Sequence, residues 1–260
     1  MGVIFLYFEA IRGIMLPFIG TTLGSSCVLL MKKVLDRNIE RILMGTAAGV
    51  MTAASIWSLL LPALAQCADS MGSLAFIPAA VGFVLGIAFL MLLDRLIPQI
   101  KAGDCTDGAG RTMLMLAVTL HNIPEGMAVG AVYAGLLYGN NDITAAAALT
   151  LAVGIAVQNF PEGAIISMPL HASGMSRARS FIFGTLSGTV EPIGAVLTVA
   201  AAGLIIPAMP YLLSFAAGAM IYVTVSELIP DIYSDGSAVS ATAAYSAGFL
   251  LMMILDVAFG

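Results

Sequence analysis

The chain has 260 residues, of which 60% are hydrophobic and only 10% are charged, and its formal net charge is −5. Soluble globular domains carry about a quarter charged residues, so this composition excludes a soluble protein and indicates one with many membrane spans. Almost no residues remain for a soluble domain. Any chemistry must therefore be done by the spans themselves, and we expect small ions and the lipid bilayer as partners, with no nucleic acid.

Apolar runs of about 20 residues, the length that crosses a bilayer, follow one another along the whole chain. We therefore predict an all-α transmembrane bundle of eight helices that forms a single domain over residues 1–260. A short Gly-rich loop near residues 100–111 divides the first three spans from the rest. The predicted spans are 13–31, 42–66, 74–98, 112–137, 143–170, 178–205, 208–230 and 238–259.

The distribution of Lys and Arg predicts the orientation of these spans, because cytoplasmic loops carry an excess of both residues. With the N-terminus outside, only Arg12 lies on the extracytoplasmic side. We therefore expect both termini to be extracytoplasmic and the loop near residues 100–111 to be cytoplasmic, provided that the number of spans is even. The cytoplasmic cations are then Lys32, Lys33, Arg37, Arg41, Arg95, Lys101, Arg111, Arg177 and Arg179.

Two similar polar segments interrupt the fourth and fifth spans: His-Asn-Ile-Pro-Glu-Gly, which begins at His121, and Gln-Asn-Phe-Pro-Glu-Gly, which begins at Gln158. Ionisable groups at membrane depth are costly, so they are functional candidates by default. Residues four apart share a helix face, which places His121 near Glu125 and Gln158 near Glu162. The proline in each segment removes a backbone donor, and we expect both helices to kink or loosen there. Together these groups predict a cation site.

A third pairing of carboxylate and proline, Glu191 with Pro192, lies on the predicted sixth span. Glu125, Glu162 and Glu191 in one bundle would repel one another strongly if all were ionised, and a divalent cation would remove that repulsion. The alternative is that each glutamate is a separate neutral group that stabilises its own kink by hydrogen bonding. We favour the cation, because three such insertions by chance are improbable at this hydrophobicity.

Other polar residues on the spans are weaker candidates for the path of an ion. Met51 is a soft donor and Ser58 a weak oxygen ligand, although nearly all of the 16 methionines must be packing residues. Glu227 and Asp231 are either interfacial carboxylates or a cytoplasmic release station. His171 is expected to be a loop residue, or otherwise an exit-path ligand. Solvated carboxylates are expected near the span ends at Asp69, Asp94 and Asp256.

The order of the spans also raises the hypothesis of an internal repeat. Many transporters are built from inverted repeats with discontinuous helices near the bilayer midplane. Spans one to three and spans six to eight are candidates for such a pair, although residue identities alone do not demonstrate it.

The polar segments at His121 and Gln158, followed by Glu191 on the next span, resemble those of the ZIP (Zrt/Irt-like) divalent metal transporters, especially the compact bacterial members. The resemblance extends over essentially the whole chain. It implies transport of zinc, iron, manganese or cadmium toward the cytoplasm through a binuclear metal site, with zinc as the first expectation. It also implies a plasma or bacterial inner membrane and a homodimer.

The same resemblance implies roles for individual residues. One metal site would use His121, Glu125, Gln158, Glu162 and Met51. The second site would use Asn122, Asn159 and Glu191, with Glu125 and Glu162 bridging the two sites. Ser58 would line the entrance and Glu227 the exit. Gln158 and Asn159 stand where many relatives have His or Asp, so we expect the second site to be weak.

Three functions are compatible with such a site. Secondary transport of a divalent transition metal is the leading one, and it makes the protein a transporter and not an enzyme. A metal-dependent intramembrane hydrolase is the alternative, because a His and Glu metal site can activate water, but the chain lacks a His-Glu-x-x-His motif. A passive cation channel would use the same ligands and would differ only in its kinetics.

Overall fold

A computed structural model describes residues 2–30, 37–96, 108–138, 143–233 and 238–259. Within these ranges the chain is helical, joined by short turns, and contains no strand. The predicted all-α fold is therefore confirmed. The helices are α1 (Gly2–Leu30), α2 (Arg37–Ala54), α3 (Leu61–Met71), α4 (Phe76–Leu96), α5 (Gly108–Tyr138), α6 (Ala145–Ala172), α7 (Arg177–Ser187), α8 (Val190–Ala200), α9 (Ala202–Ile205), α10 (Met209–Val223), α11 (Ile229–Tyr233) and α12 (Ala238–Phe259).

Seven helical runs of the described chain are long and apolar enough to cross a membrane. Helix α5 is a further long helix, and its 31 residues extend over about 46 Å, more than a bilayer core requires. The count of eight spans stays a prediction. The seven runs are Leu6–Leu30, Arg37–Ala68, Gly72–Leu96, Ala145–Ala172, Arg177–Ala200, Met209–Tyr233 and Val239–Ala258.

These bounds agree with the predicted spans to within five residues, except at the first span, which begins at Leu6 rather than at residue 13. The observed span includes two charged residues that lie before the predicted start, Glu9 and Arg12. They are one helical turn apart and form an ion pair at 2.9 Å. Pairing lowers the cost of both charges near the membrane surface. The predicted loop near residues 100–111 is shorter, because α5 already begins at Gly108, and residues 97–107 lie outside the described ranges.

Two spans contain a π-helical turn that the sequence did not predict. One turn, Ser55–Leu60, joins α2 to α3, and the other, Thr224–Leu228, joins α10 to α11. Each ends two residues before a proline, Pro62 or Pro230. A proline has no N–H to donate to the carbonyl one turn back, and the wider π turn rearranges the hydrogen bonds there.

The predicted kinks at Pro124 and Pro161 do not interrupt the helices, because α5 and α6 both continue through these residues. A bend at either proline stays a prediction. The predicted sixth span, in contrast, is not one helix, because α7 ends at Ser187 and α8 begins at Val190. This break places Glu191 in the first turn of α8, where a helix dipole stabilises a negative charge.

The helices pack most extensively in four pairs: α1 with α6, α2 with α12, α4 with α10 and α5 with α8. Glycines allow the close approach. A Cβ at Gly24 of α1 would collide with the carbonyl of Phe160 on α6, and one at Gly49 of α2 would collide with that of Tyr245 on α12. Small residues at such seams are what lets helices associate in lipid, where the hydrophobic effect does not drive them together.

The pairing also bears on the internal repeat. If the first, second and third spans correspond to the sixth, seventh and eighth, and the fourth to the fifth, the α1 and α6 pair corresponds to the α8 and α5 pair. The α2 and α12 pair then corresponds to the α10 and α4 pair. Both π turns fall on corresponding spans, the second and the seventh. This pattern is the one that the repeat hypothesis requires.

Candidate metal centre

Five polar side chains of the predicted site are almost completely buried, none more than 3% exposed. They project from α5, α6 and α8, and Glu162 on α6 is partly buried beside them. Polar groups removed from water are costly unless they find partners, so their hydrogen bonds are informative. The five residues are Asn122, Glu125, Gln158, Asn159 and Glu191.

A hydrogen bond connects the two related polar segments. The side-chain Nε2 of Gln158 on α6 donates to Oε1 of Glu125 on α5 at 2.7 Å. The bond brings together two of the residues expected in the first site, and their role as metal ligands stays a prediction. Short bonds of this kind to a carboxylate are stronger than those between neutral groups.

The third carboxylate is held by two donors on different helices. Oε1 of Glu191 accepts from Nδ2 of Asn122 on α5 at 3.0 Å and from Oγ1 of Thr21 on α1 at 3.1 Å. Asn122, a predicted ligand, therefore directs its amide nitrogen at a carboxylate, and only its oxygen remains to meet a cation. Thr21 was not predicted as part of the site.

The three carboxylates share one electrostatic environment. Glu125 interacts with the charges of Glu162 and Glu191, and Glu191 interacts with that of Glu162. In a low-dielectric surrounding, like charges so placed repel unless a cation lies among them. The three glutamates therefore lie in one part of the bundle, and their convergence on a single ion stays a prediction.

Five oxygens of this group are buried and accept no hydrogen bond from the described residues. Buried polar atoms in proteins are nearly always partnered, and an exception calls for an explanation such as a bound ion. Carboxylate and amide oxygens are suitable ligands for a divalent cation. The five atoms are Oε2 of Glu125, Oε1 of Gln158, Oδ1 of Asn159, Oε2 of Glu162 and Oε2 of Glu191.

Two predicted ligands are less closely placed by the structure. His121 lies in α5 one turn before Glu125, but its side chain is outside the described part. Met51 of α2 is buried, and its sulfur lies 3.9 Å from the hydroxyl oxygen of Thr224 in the second π turn. The described His, Cys, Asp and Glu side chains include no group of three or more arranged to hold a metal ion.

A cavity of about 330 Å³ lies toward the C-terminal end of α5 and the N-terminal end of α6. Its lining includes Trp57, Ser58, Val132, Leu151, Leu213 and Asp256. Val132 and Leu151 are seven residues from Glu125 and Gln158, so about 10 Å of helix separates the cavity from the buried oxygens. The cavity therefore lies about two helical turns from the buried oxygens.

Ser58 and Asp256 meet in this cavity, where the Ser58 hydroxyl lies 2.7 and 2.8 Å from the two carboxylate oxygens. The expectation of a merely solvated Asp256 is therefore wrong. Asp94 is likewise engaged, since Tyr222 donates to its Oδ2 at 2.5 Å. The side chain of Asp69 lies outside the described part. The signal that could have marked Asp94 and Asp256 is the cost of a carboxylate within an apolar span.

The predicted exit residues lie apart from one another. Glu227, in the second π turn, lies close enough to Asp94 and Glu162 for their charges to interact. Asp231 instead forms an ion pair with Arg37 at 3.2 Å. Of these two carboxylates, Glu227 is the one that the structure places near the buried oxygens.

His171 was expected in a loop but occupies the last turn of α6. Its Nδ1 lies 2.8 Å from the carbonyl oxygen of Met175, across a turn in which Gly174 has a φ of +95°. Glycine adopts this conformation without strain, and such a turn commonly ends a helix. The contact of His171 with Met175 therefore connects the last turn of α6 to the turn that follows it.

Comparison with known proteins gives a consistent result. A family model described as ZIP zinc transporter matches residues 104–256. The zinc transporter GufA of Myxococcus xanthus is 35% identical over 248 residues, covering 92% of this chain and 94% of that protein. Zinc transporter ZIPB of Bordetella bronchiseptica is 35% identical over 259 residues, with coverages of 96% and 81%. Zinc transporter ZIP11 of Homo sapiens is 33% identical over 340 residues, with coverages of 97% and 98%. The chain therefore belongs to the ZIP zinc transporter family.

Proposed function

We propose that this protein carries zinc, or a related divalent transition-metal ion, across a plasma membrane through two neighbouring sites between α5, α6 and α8. As a member of the ZIP family it is a divalent metal transporter and not an enzyme. The observation that carries the proposal in detail is the group of five buried oxygens that accept no hydrogen bond from the described residues. A divalent cation would satisfy these atoms and remove the repulsion among the three glutamates.

The first proposed site consists of His121, Glu125, Gln158, Glu162 and Met51. The second consists of Asn122, Asn159 and Glu191, with Glu125 and Glu162 shared between the two. The hydrogen bonds support this division, because Gln158 holds one oxygen of Glu125 while Asn122 holds one oxygen of Glu191. In each case the other carboxylate oxygen is left for an ion.

The choice of metal rests on the donors. Nitrogen and oxygen ligands without thiolate suit Zn²⁺, Fe²⁺, Mn²⁺ and Cd²⁺. Zinc is the first choice because the relatives from Myxococcus xanthus, Bordetella bronchiseptica and Homo sapiens are all named zinc transporters. The neutral amide of Asn159 would make the second site the weaker of the two.

The proposed path runs from the cavity at Ser58 and Asp256 to the buried oxygens and then to Glu227. Both termini are proposed to be extracytoplasmic, which makes the cavity an outer entrance and directs the ion to the cytoplasm. Asp231 and His171 would border the exit rather than bind the ion, because each is engaged elsewhere. A homodimer is part of the same proposal.

The test is uptake of Zn²⁺, Cd²⁺, Mn²⁺ and Fe²⁺, each in turn, by liposomes that contain the purified protein. Uptake should saturate with metal concentration, and Glu162→Ala should abolish it. Glu9→Gln is the matched control, because Glu9 is a carboxylate paired with Arg12 at the surface. Flux that rises linearly with concentration would indicate a channel, and normal uptake by Glu162→Ala would contradict the shared site.

A further inference from the structure

Thr21 reaches the metal centre from α1, a helix that supplies no proposed ligand. Its side chain is completely buried, and its Oγ1 lies 3.1 Å from Oε1 of Glu191. The same oxygen of Thr21 lies 3.4 Å from the carbonyl of Pro17. A threonine hydroxyl has one proton to donate, and the closer carboxylate is the stronger acceptor. The hydrogen bond that matters is therefore the one to Glu191.

The packing of α1 leaves Thr21 little freedom to move. A Cβ at Gly20 would collide with the carbonyl of Ala156, so the backbones of α1 and α6 touch there. A Cβ at Gly188, in the break between α7 and α8, would lie 2.8 Å from Cβ of Thr21. Threonine is also stiff about χ1 because it is branched at Cβ. The hydroxyl is therefore presented to Glu191 from a fixed position.

The two oxygens of Glu191 are consequently unequal. Oε1 has two donors, Thr21 and Asn122, whereas Oε2 is buried and accepts no hydrogen bond from the described residues. Fixing one oxygen of a carboxylate from two directions fixes the direction of the other. Groups that hold a metal ligand in this way typically change metal affinity 10-fold to 100-fold when they are removed.

We propose that Thr21 is a positioning residue that aims Oε2 of Glu191 at the transported metal ion. The proposal rests on the proposed function, because it takes Glu191 as a ligand. Thr21 itself does not touch the ion. It acts together with Asn122, so the carboxylate keeps one donor when the other is lost.

A second contact shows that α1 supports both sides of the centre. One turn beyond Thr21, the hydroxyl of Ser25 donates to the carbonyl of Gly163 at 3.2 Å, next to Glu162 in the chain. Helix α1 thus holds the segments that carry Glu162 and Glu191. The spacing of these two carboxylates depends on where α1 places Thr21 and Ser25.

The test compares Thr21→Val, which keeps the shape and removes the hydroxyl, with Thr21→Ser, which keeps the hydroxyl. Calorimetry with Zn²⁺ on the purified protein should show about a 10-fold weaker affinity at one site in Thr21→Val, and Thr21→Ser should return it to within about twofold. In liposomes, KM for Zn²⁺ should rise about 10-fold in Thr21→Val while kcat stays within about twofold. Thr22→Val, on the neighbouring residue, is the matched control, because the hydroxyl of Thr22 has no hydrogen-bond partner among the described residues.

Wild-type affinity and KM in Thr21→Val would overturn the inference, and so would a loss that Thr21→Ser does not restore, since that loss would reflect packing. If Thr21→Val fails to fold, Thr21→Ala removes the same hydroxyl without added bulk and should give the same weakening. Failure of the unsubstituted protein to bind or transport Zn²⁺ would refute the proposed function and the inference with it. Failure of the inference and failure of the proposed function can therefore be told apart, because only the second affects Zn²⁺ binding by the unsubstituted protein.

Discussion

Replacing Glu125 by Gln should separate metal binding from folding. In the structure, Oε1 of Glu125 accepts from Nε2 of Gln158, and Oε2 accepts no hydrogen bond from the described residues. The amide oxygen of Gln at position 125 can keep the bond to Gln158, which places its NH₂ group where Oε2 was. A donor nitrogen then points at the ion in place of a charged oxygen. Because one of three mutually repelling charges is also removed, the metal-free protein should lose no stability.

The expected loss of Zn²⁺ affinity in Glu125→Gln follows from the loss of one carboxylate charge. Two unit charges about 4 Å apart interact with about 4 kcal/mol at an effective dielectric constant of about 20, so a divalent ion gains about 8 kcal/mol from one carboxylate. If dehydration offsets about three quarters of this gain, about 2 kcal/mol remains, which is about 30-fold in affinity. At a Zn²⁺ concentration of about 100 times the wild-type Kd, binding stabilises the fold by about 2.7 kcal/mol, and a 30-fold weaker site by about 0.9 kcal/mol.

Thermal unfolding with and without Zn²⁺ measures the stability of the metal-free protein and the stabilisation by bound Zn²⁺ in one experiment. Without metal, Glu125→Gln should have a wild-type or higher Tm. Added Zn²⁺ should raise its Tm by much less than it raises that of the wild type. Glu9→Gln, which removes a surface carboxylate from an ion pair, should keep that rise. A Zn²⁺-dependent rise of wild-type size in Glu125→Gln would refute the assignment of Glu125 as a ligand.

Three further predictions follow from the same contacts. Asn159→Asp should tighten divalent binding at the second site and slow turnover, because a more tightly held ion leaves less readily; calorimetry that shows no change would mean that Asn159 does not face the ion. Metal affinity should fall as the pH is lowered from about 8 to 5.5, because protons compete with the ion for the same nitrogen and oxygen atoms. A flat profile would exclude the named ligands, and a steep one that survives His121→Ala would assign the titration to the carboxylates. Gly24→Ala should destabilise the protein by about 1–3 kcal/mol in thermal unfolding, because its Cβ would meet the carbonyl of Phe160; Gly203→Ala, where a Cβ meets nothing within 4 Å, is the control, and equal Tm values would contradict the close packing of α1 on α6.

Much of the candidate site could be predicted because its signal is local. Gln158 stands in a short polar segment within an apolar span, and so does Glu125, where the cost of burial marks a residue whatever the tertiary structure is. Their hydrogen bond at 2.7 Å agrees with that prediction. Glu191 carried the same signal, but the break before it was not predicted, since the sixth span was expected to be one helix.

Thr21 could not be found in this way. Serine and threonine in helices commonly bond to the carbonyl one turn back, and such residues carry no sign of a distant partner. Thr46 does just this, donating to the carbonyl of Ile42 at 2.8 Å. Thr21 differs only because α8 brings Glu191 to it from 170 residues away. The partner of Asp256 could not be predicted for the same reason, since Ser58 lies 198 residues from it in the chain.

The sequence by itself determined that the chain spans a membrane, roughly where most of its spans lie, and which residues could bind a cation. These properties depend on hydropathy and spacing within about 20 residues, which neighbouring helices do not change. Only the tertiary structure decided which oxygen of Glu125 and of Glu191 accepts a hydrogen bond from a neighbouring helix. That choice depends on helix seams in which glycines such as Gly24 and Gly49 bring backbones into contact, and hydrogen bonds across such seams exist only when distant segments pack at one register.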